Sequence, residues 1–166
     1  VGPRPLIVCP NGFVDYKNSY SEEELIKLAE LVNSMEYQRS RSGNNEYFLF
    51  TKILEYMGAS KLDTAWYYLN ASWMAENNYN RSQYVRYLNL SINDMIDAKS
   101  EGEIGFTPRF LIAELNRLKG DFEAALIHLE DLEANWPAEG YELVLIEFER
   151  GLINLKNSKP MSQPDG

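Results

Sequence analysis

The sequence predicts an all-α protein built of antiparallel helical hairpins, and three observations carry that expectation. Apolar residues recur at three- and four-residue spacing through almost the whole chain, so the side chains that must leave water line up on one stripe per helix. Helix-start and helix-stop residues punctuate those stripes at regular intervals. No segment sustains the two-residue alternation that a half-buried strand requires. The connections between stripes are short, so successive helices are expected to pack antiparallel, about seven in all.

Residues 1–20 stand apart. Three Pro and two Gly fall in the first twelve residues, with the β-branched pair Ile7-Val8 between them, a composition that reads as an extended lead-in. The helical domain is predicted over 21–157, and the polar residues 158–166 as a flexible tail.

Ser21-Glu22-Glu23-Glu24 is a capping box, in which the hydroxyl and the carboxylate three residues on satisfy reciprocal backbone donors. Leu25, Leu28, Ala29, Val32 and Met35 follow as one stripe. A second helix is expected from Asn45 to Met57, with Tyr47, Phe48, Phe50, Thr51 and Leu54 inward and Gly58 as its stop. Ser60 caps a third helix reaching Asn77, whose buried side is expected to carry Leu62, Trp66, Leu69, Trp73 and Met74. Asn77-Asn78-Tyr79-Asn80 breaks it, since Asn tolerates left-handed backbone and caps the next helix.

The fourth helix, Arg81 to Lys99, carries Tyr84, Leu88, Ser91, Ile92 and Met95 on one face. Thr107-Pro108 is read as N-cap and first residue of the fifth, because Pro lacks only a donor that would be orphaned there anyway. That helix ends at Lys119-Gly120, and Asp121 caps a sixth that runs to Trp136, where Pro137 stops it. A seventh, Ala138 to Asn157, presents Tyr141, Val144, Leu145, Phe148, Leu152 and Leu155 at helical spacing.

Within this pattern the segment from Phe106 to Pro137 is a helix-turn-helix unit with small Ala113 seven residues before Gly120, Phe122 two after it, Ala125 five after and Pro137 seventeen after. It resembles a tetratricopeptide repeat, in which the Gly turns the chain, the two alanines let the helices approach closely, and the Pro ends the unit. The hairpin from Leu62 to Ala98 is similar, with Ala71 and Ser91 as small contacts and Tyr79-Asn80 where that repeat has Gly-Asp. The segments Ala71-Ser72-Trp73, Arg86 to Ile92, Leu111 to Leu115 and Gly120 to Ala125 resemble an uncharacterised bacterial family. That family carries Cys-Pro-x-Cys-Gly-aromatic motifs ahead of tetratricopeptide-like helices. Cys9-Pro10-Asn11-Gly12-Phe13 is similar to the motif with its second Cys absent.

Composition excludes several functions. A formal charge of −9 repels a phosphate backbone, so nucleic acid is not an expected partner. The one basic cluster, Arg39-Ser40-Arg41, adjoins Gly43-Asn44-Asn45 and reads as a solvated loop. One Cys and one His cannot by themselves make a transition-metal site, and a single Cys forms no internal disulfide. No metal and no cofactor are therefore predicted. No apolar run is long enough to span a bilayer, which favours a cytoplasmic protein. Export with a signal segment removed upstream of Val1 is the alternative.

No catalytic residue is predicted either. His128, between Ile127 and Leu129, has no indicated nucleophile or orienting carboxylate. The carboxylates Glu22 to Glu24, Glu130, Asp131, Glu133, Glu139, Glu142, Glu147 and Glu149 read as helix caps and solvated faces.

The informative excess is aromatic: eleven Tyr among 166 residues. Tyr67, Tyr68, Trp73, Tyr84 and Tyr87 fall on adjacent helices of one hairpin and are the candidate groove residues, since Tyr and Trp bury large area at interfaces while keeping a polar handle. The expected function is a non-enzymatic scaffold that binds a protein or peptide, with a basic partner favoured by the acidic chain. Two other readings stay open: a small hydrolase or carbohydrate-binding protein using groove carboxylates, and a self-associating structural module, that is, a homo-oligomer.

Overall fold

The structure, a computed structural model, describes residues 6–102 and 104–160. Residues 1–5 of the lead-in and 161–166 of the tail thus lie outside the described residues. Among those described, the chain is all-α apart from one small hairpin: β1 (Ile7–Val8), β2 (Val14–Asp15), α1 (Glu22–Asn33), α2 (Met35–Ser40), α3 (Glu46–Tyr56), α4 (Lys61–Asn77), α5 (Arg81–Glu101), α6 (Phe106–Lys119), α7 (Phe122–Asn135) and α8 (Tyr141–Asn154). It divides into two compact units, Val1–Asp94 and Met95–Gly166, where the sequence predicts one helical domain over 21–157.

In the first unit the lead-in folds back on itself. β1 and β2 pair antiparallel, Ile7 opposite Asp15 and Val8 opposite Val14, around a turn in which the Cys9 carbonyl accepts the Gly12 amide at 2.8 Å. Gly12 adopts φ +91 and lies against the Arg41 side chain, which an added Cβ would approach to 2.6 Å; only glycine satisfies both conditions.

The caps at Ser21, Ser60 and Asn80 are ones the sequence marks, and Asn45, expected as the first residue of its helix, is a cap as well. Ser21 and Glu24 form the reciprocal box, and Asn45, Ser60 and Asn80 accept the amides of Phe48, Asp63 and Gln83, each at 3.1 Å. The first stripe, however, is broken. Ser34 is extended, its amide and hydroxyl both donate to the Leu31 carbonyl, and its oxygen accepts the Tyr37 amide at 3.2 Å, which ends α1 and starts α2. This inserts an eighth helix, and Met35, assigned to the inward stripe, is exposed.

α3 is buried over most of its surface by Tyr47, Phe48, Leu49, Phe50, Thr51 and Ile53 and packs on α4. α4 turns Thr64, Ala65, Tyr68, Leu69, Ala71, Ser72 and Ala75 inward; Trp73, predicted on the buried side, is 42% exposed. The buried face of α4 is the one lined with small residues, which admits a neighbouring backbone, and the Ser91 hydroxyl of α5 reaches the Ala65 carbonyl at 2.8 Å.

The second unit is organised around α6, α7 and α8. Ala113 on α6 and Ala125 on α7 have no exposed surface and sit in one cluster with Phe110, Leu129, Leu132, Ile146 and Ile153. Gly120 takes φ 93 between the two helices, the Asp121 amide returns to the Asn116 carbonyl at 2.9 Å, and the Asp121 side chain accepts the Ala124 amide at 3.1 Å. α6 begins earlier than predicted. Gly105 is its N-cap, so Thr107 and Pro108 lie inside the first turn, where a missing Pro donor is equally harmless. Trp136 is extended at the end of α7, as the residue before Pro137 must be.

α8 corrects the sequence reading most. Its buried residues are Ile146, Glu149 and Ile153, while Tyr141, Val144, Phe148 and Leu155 of the predicted inward stripe are exposed. The helix is apolar on two faces and rests on its neighbours with the other one.

Candidate functional site

Of the five aromatic residues expected to line a groove, three are core. Tyr68, Tyr84 and Tyr87 are at most 3% exposed, and the hydroxyls of Tyr68 and Tyr87 bond within the chain. The Tyr68 hydroxyl donates to Glu55 Oε1 at 2.6 Å, and its ionisation is pushed far up by burial and by that carboxylate. The Tyr87 hydroxyl donates to Asn44 Oδ1 at 2.9 Å and accepts the Asn45 amide at 3.2 Å. The Arg81 guanidinium lies over the Tyr84 ring at 4.9 Å. Alternation of faces on α4 and α5 explains the outcome: Tyr68 and Tyr87 share the inward stripe with Ala71, Ala75, Leu88 and Ser91.

Tyr67 is different. It stands on the flank of α4, edge-on to Phe50 with ring centroids 4.8 Å apart, and lines a cleft of about 470 Å³ together with Tyr16, Tyr47, Phe50, Leu6, Ile7, Asp15, Lys17 and Asn18. The cleft has an aromatic floor from α3 and α4 and a wall from the N-terminal hairpin. Tyr16 closes one end, 5.3 Å from the Phe50 ring and 5.6 Å from Tyr20.

The wall is braced by hydrogen bonds. The Tyr20 hydroxyl donates to Asp15 Oδ1 at 2.8 Å while accepting the amides of Tyr16 at 3.1 Å and Lys17 at 3.3 Å. Lys17 Nζ pairs with Glu24 Oε1 at 2.5 Å, which raises the lysine and lowers the carboxylate. Burial raises the Tyr16 hydroxyl, so at neutral pH it remains a neutral donor at the rim. Among the described residues the hairpin has two strands, so each is paired on one side only. Sequence reasoning missed Tyr16; the available signal was the aromatic run Phe13, Tyr16, Tyr20 immediately before the Ser21 capping box.

A second cleft, about 370 Å³, is lined by Leu31, Glu36, Tyr37, Lys52, Glu55 and Tyr56 among others. Two of its charges already pair, Lys52 Nζ with Glu55 Oε2 at 3.0 Å. Trp73, the remaining groove candidate, is exposed on α4 and borders neither cleft.

The carboxylates are more varied than solvated faces. Asp131 pairs with Lys99 and Glu133 with Arg150 at the surface. Glu149, by contrast, is fully buried and accepts from Arg117 Nε at 2.6 Å, with Arg117 equally buried. Arg117 also donates through Nη1 to the carbonyls of Asn157 and Lys159 at 2.8 and 2.7 Å. This cluster is closed to substrate and ties α8, through Glu149, and the segment after it to α6. Its sequence signal was phase: Arg117 lies one turn after Ala113, and Glu149 sits between Ile146 and Ile153, all on buried faces. His128 is half-buried, and burial together with Lys99 holds its imidazole below the usual range, hence neutral at neutral pH.

Among the repeat-defining positions, Ala113 and Ala125 are buried, Gly120 is left-handed, Phe122 packs partly buried against their cluster, and Pro137 is exposed after α7. Cys9 is a half-buried free thiol in the hairpin turn. No protein-family model, no curated protein and no solved structure matches the chain. No described helix is long and apolar enough to cross a membrane.

Proposed function

We propose that the chain is a non-enzymatic binding module on a tetratricopeptide-like scaffold, and that it takes an extended peptide segment in the cleft of Tyr16, Tyr47, Phe50 and Tyr67. The single observation behind this reading is that cleft: an aromatic floor at the open end of the N-terminal hairpin, with a polar rim of Asp15, Lys17 and Asn18. Aromatic pockets grip alternate side chains of an extended segment, while the polar rim offers hydrogen bonds. The net charge of −9 favours a segment carrying Lys or Arg, by raising encounter rates more than by tightening the final complex.

The test is selection from a displayed library of random peptides, followed by titration of the enriched sequences by isothermal calorimetry. The expected winners are basic and contain a bulky apolar residue. Tyr67→Ala and Tyr16→Ala should each weaken them about tenfold or more, ~1.4 kcal/mol, the ordinary size of an aromatic hot spot. Trp73→Ala, exposed but outside the cleft, should leave binding unchanged. Peptides that bind the Tyr67 and Tyr16 variants as tightly as the parent would refute the assignment.

A further inference from the structure

The rings that line the Tyr67 cleft are set at steep angles to one another. Tyr16 and Phe50 are inclined by 47° with centroids 5.3 Å apart, and Phe50 and Tyr67 by 77° at 4.8 Å. Rings so inclined enclose a hollow, whereas parallel rings would fill it by stacking on each other. Phe50 belongs to the floor, and the half-buried Tyr16 and Tyr67 adjoin it as walls.

Aromatic faces are electron-rich and attract cations, and elsewhere this chain covers them with its own. Lys52 lies over Phe48 and Tyr68 at 5.3 and 5.8 Å, and Arg86 over Tyr87 at 4.9 Å. In the cleft the arrangement differs. Lys17, the cation among the described lining residues, is turned away to Glu24 Oε1 at 2.5 Å and over the Tyr20 ring at 5.1 Å. Among the described residues, no Lys or Arg lies over Tyr16, Phe50 or Tyr67.

Charge on the rim points the same way. Asp15 lines the cleft, its Oδ1 fixed by the Tyr20 hydroxyl at 2.8 Å. Lys17 and Glu24 offset each other, so Asp15 leaves the rim negative, in a chain of formal charge −9. A carboxylate beside inclined ring faces suits a cation that gives up its water cheaply. A primary ammonium does not, because it is strongly hydrated and its N–H donors would stand unpaired against the rings. Methylation removes those donors and spreads the charge over C–H groups, which keeps the attraction to the rings and lowers the cost of leaving water.

We infer that the cleft is an aromatic cage for a quaternary ammonium group, carried by the bound segment as a trimethylated lysine, with Tyr16, Phe50 and Tyr67 as walls and Asp15 as counter-charge. The source of the ligand rests on the peptide reading above; the cage rests on the rings and the rim.

Titrations followed by NMR with small probes test the cage. Nα-acetyl-trimethyllysine amide is compared with its neutral counterpart, in which carbon replaces the quaternary nitrogen, so that shape is held and only charge changes. The trimethylated probe should saturate and bind about tenfold or more tighter than the neutral one and than the unmethylated lysine amide. Tyr67→Leu keeps an apolar flank without a ring face and should abolish the difference, with unchanged helical circular dichroism. Asp15→Asn, at an exposed position, should weaken the trimethylated probe and leave the neutral one as it was. A neutral probe as tight as the trimethylated one, a trimethylated probe that does not saturate, or a preference that survives Tyr67→Leu overturns the cage. Peptides selected on the parent chain then assign the source. Trimethylating their lysine should tighten them by about tenfold. Selected peptides that bind at Tyr67 and gain nothing from trimethylation overturn this inference while the peptide reading stands. A trimethylated probe that binds at Tyr67 when no peptide is selected overturns the peptide reading and makes a free trimethylammonium compound the occupant of the cage.

Discussion

Arg117 on α6 and Glu149 on α8 meet at 2.6 Å with neither side chain exposed to solvent, and among the described residues each keeps one terminal atom without a hydrogen-bond partner. Such a pair is dangerous to break and dispensable to remove. Arg117→Met or Glu149→Leu alone should cost about 3–5 kcal/mol by stranding the other charge, and the double variant should recover most of that loss. Urea denaturation of the three variants measures it, and a double variant no better than the worse single one would count against the pairing.

Glu114 stands 3.7 Å from Arg117 Nη2, and its pKa is raised above 4.5, chiefly by burial and further by the nearby Glu149 charge. Burial likewise raises Glu149. A carboxylate raised in the folded state binds its proton more readily there than in the unfolded chain. The associated stability is complete below pH 4.5 and is lost as pH climbs through the native value. Glu114→Gln should therefore flatten the decline in stability between about pH 4 and neutrality and raise the neutral-pH melting temperature. Melting curves across that range decide it.

Tyr79 and Gly120 occupy equivalent turns. Each follows its helix with positive φ, 57 and 93, and each is followed by an amide that reaches back to close the helix end, Asn80 to Ala75 at 2.8 Å and Asp121 to Asn116 at 2.9 Å. A side chain in that conformation costs roughly 1–2 kcal/mol, and the Tyr79 ring is 96% exposed, so little contact offsets it. Tyr79→Gly should stabilise by ~1 kcal/mol and Gly120→Ala should destabilise by a similar amount. Opposite signs in chemical denaturation are the expected result.

Ala125 has no exposed surface and lies in the cluster with Ala113. Ala125→Phe should cost about 1–3 kcal/mol or more, because a close crossing absorbs added volume poorly. An unchanged melting temperature would contradict the tight crossing of α6 and α7.

Most helices and several caps were legible because they depend on local chemistry. Ser21, Ser60 and Asp121 each bond an amide three residues on, and the stop at Gly120 is equally local, whereas the Ser34 cap went unread and Gly105 holds the place expected of Thr107. Orientation was less legible. α8 is apolar on two sides, and periodicity gives the spacing of a stripe without saying which stripe meets the rest of the unit. The same limit placed Trp73 inside and counted Tyr68, Tyr84 and Tyr87 as groove residues. Only the packing partners determine which face of α4 and α5 is covered. The cleft at Tyr67 was half visible, since Tyr16 reaches it through a hairpin whose docking rests on contacts distant in sequence.

That docking lies in α2 and its C-cap residue Arg41. The Tyr37 hydroxyl donates to the Gly12 carbonyl at 2.7 Å, Gln38 donates to the Asn11 carbonyl at 2.8 Å, and Arg41 to the Pro10 carbonyl at 2.8 Å. Two-residue strands do not hold a ribbon shape in water unaided. A short six-residue helix thus acts as the hand that keeps one jaw of the aromatic cleft in position, and loosening its grip would widen the mouth while the remaining helices stay folded.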